Sequence, residues 1–336
     1  MSVTIGNDVY HFDLVVDTVT PGAPIIAAVT SDESAYKSNS LTNSDIKINL
    51  SPAANYSGIS GIYGYKYAEV EVTTDEEGKT VNAFIEDANG VIWHDVVDSN
   101  SNPTDVFEVK AAQGESLLKR YKFKAVSNAG LETNVSNANS PFIVNIEKTE
   151  LLWYIEPAAS TVEVVAGFGG FAANVNLYAN KTGAQFGYKL DRTDVSPKTV
   201  NVNTLAVSLT TNGRYTNLYM VDKAGNRKDL VDETGNPIEI VINKTRPTLG
   251  ALVLDPPTAT SGKLSTQDVT VTLAVTNGVP AVYQYRIGDG DWLDIDENVL
   301  VIAGPINTGK YTFRAVNAVS GIIGTGDKSY TANIKY

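Results

Sequence analysis

One strand motif occurs three times, and that repetition leaves the chain few folds. It reads Arg120-Tyr-Lys-Phe-Lys-Ala-Val-Ser-Asn-Ala-Gly130, then Arg214-Tyr-Thr-Asn-Leu-Tyr-Met-Val-Asp-Lys-Ala-Gly225, then Lys310-Tyr-Thr-Phe-Arg-Ala-Val-Asn-Ala-Val-Ser-Gly321. In the first and third copies Tyr121, Phe123, Ala125 and Tyr311, Phe313, Ala315 suit a buried face, while Lys122, Lys124, Thr312 and Arg314 suit solvent. A period of two with one apolar side marks a half-buried strand of an antiparallel sheet. The second copy is apolar on both sides, with Leu218 and Met220 as well as Tyr219 and Val221, which predicts a bulge or a covered outer face.

Two further elements accompany each copy. Upstream lie Tyr63-Gly-Tyr-Lys-Tyr67, Phe186-Gly-Tyr-Lys-Leu190 and Tyr283-Gln-Tyr-Arg-Ile287. Downstream, Phe142-Ile-Val-Asn-Ile-Glu-Lys-Thr149 and Ile238-Glu-Ile-Val-Ile-Asn-Lys-Thr245 are closing strands, with a weaker third copy at residues 329–335. Tyr121, Tyr215 and Tyr311 lie 94 and 96 residues apart, the size of one immunoglobulin-like sandwich. The expected fold is therefore all-β: three tandem antiparallel immunoglobulin-like β-sandwiches forming a rod. The expected divisions are an orphan N-terminal strand and junction at 1–18, and sandwiches at 19–149, 150–246 and 247–336. Residues 69–97, an insertion peculiar to the first repeat, read as a protruding hairpin that does not share the core. The segment from Val9 to Thr18 reads as a closing strand with no domain to close. It is expected to belong to an excised preceding unit, to pair with a neighbouring molecule, or to fold back on the first repeat.

The strand ending Ala224-Gly-Asn-Arg227 and the junction Asp17-Thr-Val-Thr-Pro21 resemble the tandem immunoglobulin-like or fibronectin-III-like domains of large bacterial surface proteins such as adhesins and S-layer proteins. The first and third repeats lack the terminal Asn of that pattern. The resemblance implies a non-enzymatic structural or adhesive segment of a bacterial cell-surface protein, extracellular, with other copies of itself or other surface proteins as partners. Two alternatives are a phage virion fibre or decoration protein and a carbohydrate-binding accessory module with a glycan partner. The N-terminus from Met1 to Asp8 lacks the basic and apolar regions of a signal peptide, so either the signal lies on a larger precursor or the protein leaves the cell some other way.

Chemistry is sparse. With no cysteine, disulfides and thiolate metal sites are excluded. His11 and His94 are the only histidines, and no Gly-x-Ser-x-Gly occurs, so no nucleophilic triad is legible and no enzyme is expected. A net charge of −12 argues against nucleic acid or an anionic membrane as partner. No apolar run is long enough to insert as a membrane helix. The one cofactor to consider is calcium, because Asp289, Asp291, Asp294, Asp296 and Glu297 fall within nine residues and calcium takes six to eight oxygens. The alternative reading there is a hairpin turn with solvated acids. Asp98-x-Asn-x-Asn102 starts like a calcium loop, but Pro103 stands where the turn glycine belongs. Trp93, Trp153 and Trp292 suit core positions, Trp292 being the best placed to stack on a sugar from a polar turn. Lys47 and Asn145 have the chemistry of a Lys–Asn cross-link.

Overall fold

The computed structural model describes residues 2–11, 16–74, 79–88, 90–136, 139–159 and 162–336. Among them the regular structure is entirely strand. The chain forms two compact bodies, residues 1–150 with 223–226, and residues 151–222 with 227–336. Among the described residues, three separate hydrophobic cores are present, one in the first body and two in the second.

The three repeated motifs are neighbours in one sheet, which is why they recur together. The main strands are Ser116–Ser127, Gly213–Val221 and Ile306–Asn317. Each pairs antiparallel on one side with its upstream element: Ile62–Thr74, Gln185–Leu190 or Ala281–Ile287. On the other side lie the closing strands Phe142–Glu147, Ile240–Ile242 and Lys328–Lys335. In the third sandwich Leu293–Ile295 extends this sheet to four strands, facing a sheet of Val253–Asp255, Val269–Thr272 and Val299–Ile302. Tyr311, Phe313, Ala315 and Tyr330 meet Val269, Val271 and Ile302 between the two layers. The alternation read from the sequence selects these inner residues. At roughly 25 cal/mol per Å² of apolar area removed from water, such side chains dominate the folding energy.

Each closing strand would present an open edge, and a short upstream segment covers it. Leu41–Thr42 pairs in parallel with Asn145 and Ile146, Phe171 with Ile242, and Ser265 with Ile334. Capping an edge in this way denies it to foreign strands.

A second device recurs at one end of every sandwich. The residue two positions after the last buried isoleucine of the closing strand reaches the residue just before the second strand of the facing sheet. Lys148 Nζ donates to Asp45 Oδ1 at 2.6 Å and to the Ala111 carbonyl at 2.9 Å. Lys244 Nζ donates to Asn174 Oδ1 at 2.9 Å and to the Thr210 carbonyl. In the third sandwich the Tyr336 hydroxyl bonds Asp268. These clamps add a polar tie between two sheets whose facing sides are mainly apolar.

Within the second body, the second and third sandwiches are joined through backbone. Val165 N–H donates to the Gly321 carbonyl at 2.8 Å, and Gly170 N–H to the Val319 carbonyl at 2.9 Å. Asn317, fully buried, accepts from Val319 and Ser320 N–H and donates to the Thr245 carbonyl. Gly321 has φ +72°, and a Cβ there would lie 2.3 Å from the Val165 carbonyl oxygen. The turn of the third sandwich is thus shaped to receive its neighbour.

Several expectations need correction. Lys122 and Lys124 are only 3% and 9% exposed, not solvated. The second main strand has both features foreseen as alternatives. A register shift falls opposite Tyr188, with Asn217 at φ +52°, so Leu218 and Met220 both turn inward. On the outer face the Tyr219 ring lies over Gly187, with the Arg227 guanidinium 3.7 Å above it. Near the N-terminus, Asp8–His11 is not alone, since it pairs with Ser2–Ile5 in a local hairpin. Residues 12–15 of the expected closing strand lie outside the described residues, as do residues 75–78 of the expected hairpin.

Candidate functional site on the first sandwich

The insertion is an outgrowth of the upstream strand. Ile62–Thr74 pairs with the main strand through Glu69, then runs on, and its far half pairs with Thr80–Phe84. The chain returns so that His94 and Asp95 pair with Tyr67 and Lys66. This return lays two aromatic rings, Phe84 and Trp93, 5.6 Å apart, over the outer face of the sheet. Lys122 Nζ sits 4.6 Å from the Phe84 ring and Lys124 Nζ 4.3 Å from the Trp93 ring.

A buried ammonium must find acceptors. Lys122 donates to the Ser136 carbonyl at 2.7 Å. Lys124 pairs with Glu132, which Lys66 also approaches at 2.9 Å. Burial holds the Lys122 pKa below the ordinary lysine value. The hydrogen bond from Lys124, aided by Lys66, holds Glu132 below the usual carboxylate range against the opposing effect of burial. The insertion also contributes to the interior, because Val96 belongs to the first core and Val70 is buried. The expectation of a hairpin that leaves the core untouched is therefore wrong for its root.

Two grooves flank the returning segment. One, of about 450 Å³, is lined by Tyr67, Asp95, Asp98, Phe107 and Glu108. The other, of about 330 Å³, is lined by Tyr63, Tyr65, Lys66 and Pro103. The Tyr67 ring is held between His94 at 5.2 Å and Phe107 at 4.3 Å. Rigid aromatic walls beside carboxylates suit a polar ligand with an apolar face.

The acids of the third sandwich are dispersed. Asp289 and Asp291 lie in the exposed turn after Gly288, while Asp294 accepts from Gln284 Nε2 at 2.8 Å on the strand Leu293–Ile295. Asp296 and Glu297 follow in the next turn, Glu297 at φ +53°. Among the described residues no three His, Cys, Asp or Glu side chains converge as a metal site. Asp98 is occupied by its own loop, its Oδ1 accepting from the N–H groups of Asn100 and Asn102.

Trp292 is half-buried, with the Arg314 guanidinium 4.0 Å and that of Arg286 4.8 Å from its ring centroid, so the ring expected to meet a sugar is engaged by cations. Trp93 covers Lys124, and Trp153 packs against the second core. Lys47 pairs with Glu33 at 3.4 Å rather than with Asn145. The sequence reading missed the buried lysines. The one signal that could have found them was an aromatic-rich insertion beside two lysines that no acid on their own strand neutralises.

No protein-family model matches the chain, and no curated protein matches it. Solved structures do. The fibronectin(III)-like modules of Clostridium thermocellum CbhA match at 16% identity and TM-score 0.28, covering 52% of this chain and 94% of that one. The FN1–FN3 domains of chicken CNTN1 match at 10% identity and TM-score 0.29, covering 94% and 99%. Three N-terminal domains of the bacteriophage RB49 highly immunogenic outer capsid protein match at 11% identity and TM-score 0.27, covering 95% and 99%. By its own sheet order and repeated cores, the chain is an all-β tandem array of immunoglobulin-like and fibronectin-III-like sandwiches.

Proposed function

We propose that this chain is a non-catalytic structural and adhesive segment of a bacterial cell-surface protein, acting outside the cell. Its modules span 19–149, 150–246 and 247–336. Its binding surface is the insertion-bearing face of the first sandwich, and its partners are other surface molecules. The backbone joint between the second and third sandwiches carries this reading. Segment 163–170 is hydrogen-bonded into the 319–323 turn, a design that holds successive modules in fixed relation. Capped closing edges and cross-sheet clamps support the same purpose, because a displayed array must resist both strand exchange and pulling.

Stretching single full-length molecules from their two ends tests the reading. Discrete unfolding steps of about 30–47 nm are expected, from roughly 90–130 residues released at ~3.6 Å each. Smooth extension without steps overturns a spacer role. Antibody labelling of intact producing cells tests display, and an antigen reached only after lysis overturns it.

A further inference from the structure

The second sandwich carries a surface that its fold does not require. Its three-stranded sheet consists of Trp153–Pro157, Val175–Ala179 and Ala206–Leu209. The inner side, with Val175, Leu177, Val207 and Leu209, belongs to the core. On the outer side the pairing sets two rows, Tyr154–Tyr178–Ala206 and Glu156–Asn176–Ser208.

In the first row the Tyr154 and Tyr178 rings are parallel within 4°, with centroids 4.4 Å apart. That spacing matches the ~4.8 Å between neighbouring strands, so the stack runs along the row. The far face of Tyr178 therefore looks across Ala206, a methyl where a larger side chain would close the gap. Tyr154 is 58% exposed, and Ala206 is itself part-exposed. In the second row Asn176 Oδ1 accepts from the Ser208 hydroxyl at 2.5 Å. The parallel Tyr154 ring restrains Tyr178 on its near side before any ligand arrives, which limits the ordering cost of binding.

The equivalent row is Ala27–Asn49–Val106 in the first sandwich and Val253–Thr272–Val299 in the third. Neither has an aromatic ring. A cross-strand tyrosine pair by itself only steadies a sheet. It does not account for a notch beside the ring together with a parallel row of carboxylate, amide and hydroxyl.

We propose that this notch binds a pyranose ring of a neutral glycan. The apolar C–H face of the sugar stacks on Tyr178 above Ala206, and its hydroxyls bond Ser208, Asn176 and Glu156. An acidic glycan is disfavoured by Glu156 and by the net charge of −12. This site does not depend on the displayed-segment reading, and either stands if the other fails.

The experiment uses the full chain with neutral hexasaccharides of β-glucan, xylan, mannan and chitin, and an acidic polygalacturonate oligomer. Ligand-observed NMR and isothermal titration read the binding. At least one neutral probe is expected to bind with Kd of about 0.1–1 mM, as suits a single stacked ring with a few hydrogen bonds. Tyr178→Ala weakens it at least about tenfold. Ala206→Leu fills the notch, keeps the tyrosine pair and the melting temperature, and abolishes binding. The proposal is overturned if no neutral probe binds at millimolar concentration, if the acidic oligomer alone binds, or if Ala206→Leu binds as well as the wild type.

Discussion

Replacing Lys148 by Met removes the ammonium of the first clamp and keeps most of its aliphatic stem. The Lys148 side chain is 15% exposed and Asp45 32%, which places the pair between a buried and a surface ion pair. Hydrogen bonds to charged groups contribute about 1.5–3 kcal/mol, exposed pairs about 0.2–1 kcal/mol. Lys148 also satisfies the Ala111 carbonyl, so a loss of about 1.5 kcal/mol is expected, roughly 5 °C for a module of this size. The loss also has a pH signature. Burial raises the Asp45 pKa, but the bonds from Lys148 and from Ala111 N–H outweigh it and hold it below 3.8. The unfolded state therefore binds the proton first, and the stability this carboxylate confers is complete above that value. It is lost as pH falls through the lower folded value. The gap between wild type and Lys148→Met should narrow below pH 3.8. Lys244→Met should show a smaller, pH-independent loss, because its partner Asn174 does not titrate. Urea unfolding followed module by module with hydrogen-exchange mass spectrometry reads both. A double-mutant cycle with Asp45→Asn should give a coupling of about 1 kcal/mol. Coupling below about 0.3 kcal/mol, or a gap that widens in acid, would refute the reasoning.

Three further outcomes follow from the geometry. Because burial depresses the Lys122 pKa from 10.5, the unfolded chain binds more protons in the window below that value, so first-module stability should rise with pH there; Lys122→Met should flatten that rise in alkaline urea titrations. Gly321→Ala places a methyl against the Val165 carbonyl at φ +72°, and calorimetry should show the second and third sandwiches melting as separate transitions while the third core stays folded. Adding millimolar calcium in place of chelator should leave the melting midpoint unchanged, since the acids from Asp289 to Glu297 do not converge; a rise would restore the calcium clip.

The sequence by itself determined the sandwiches. Period-two alternation is local, so Tyr121, Phe123 and Ala125 announce a buried face without reference to any partner. The repetition of three motifs near a hundred-residue spacing tells that the same sheet is built three times. What the sequence could not decide depends on groups brought together from distant strands. Lys122 reads as solvated until a return from residues 84–95 lays Phe84 and Trp93 across it. The role of the lysine in each Lys-Thr ending emerges only when the facing sheet supplies Asp45 or Asn174. Four aspartates within nine residues looked like one site, but they are spread over one turn, a single strand position and the following turn. Tyr154 and Tyr178 drew no notice in a chain with seventeen tyrosines, because their stacking is a property of strand register, fixed only when two sheets close over one core.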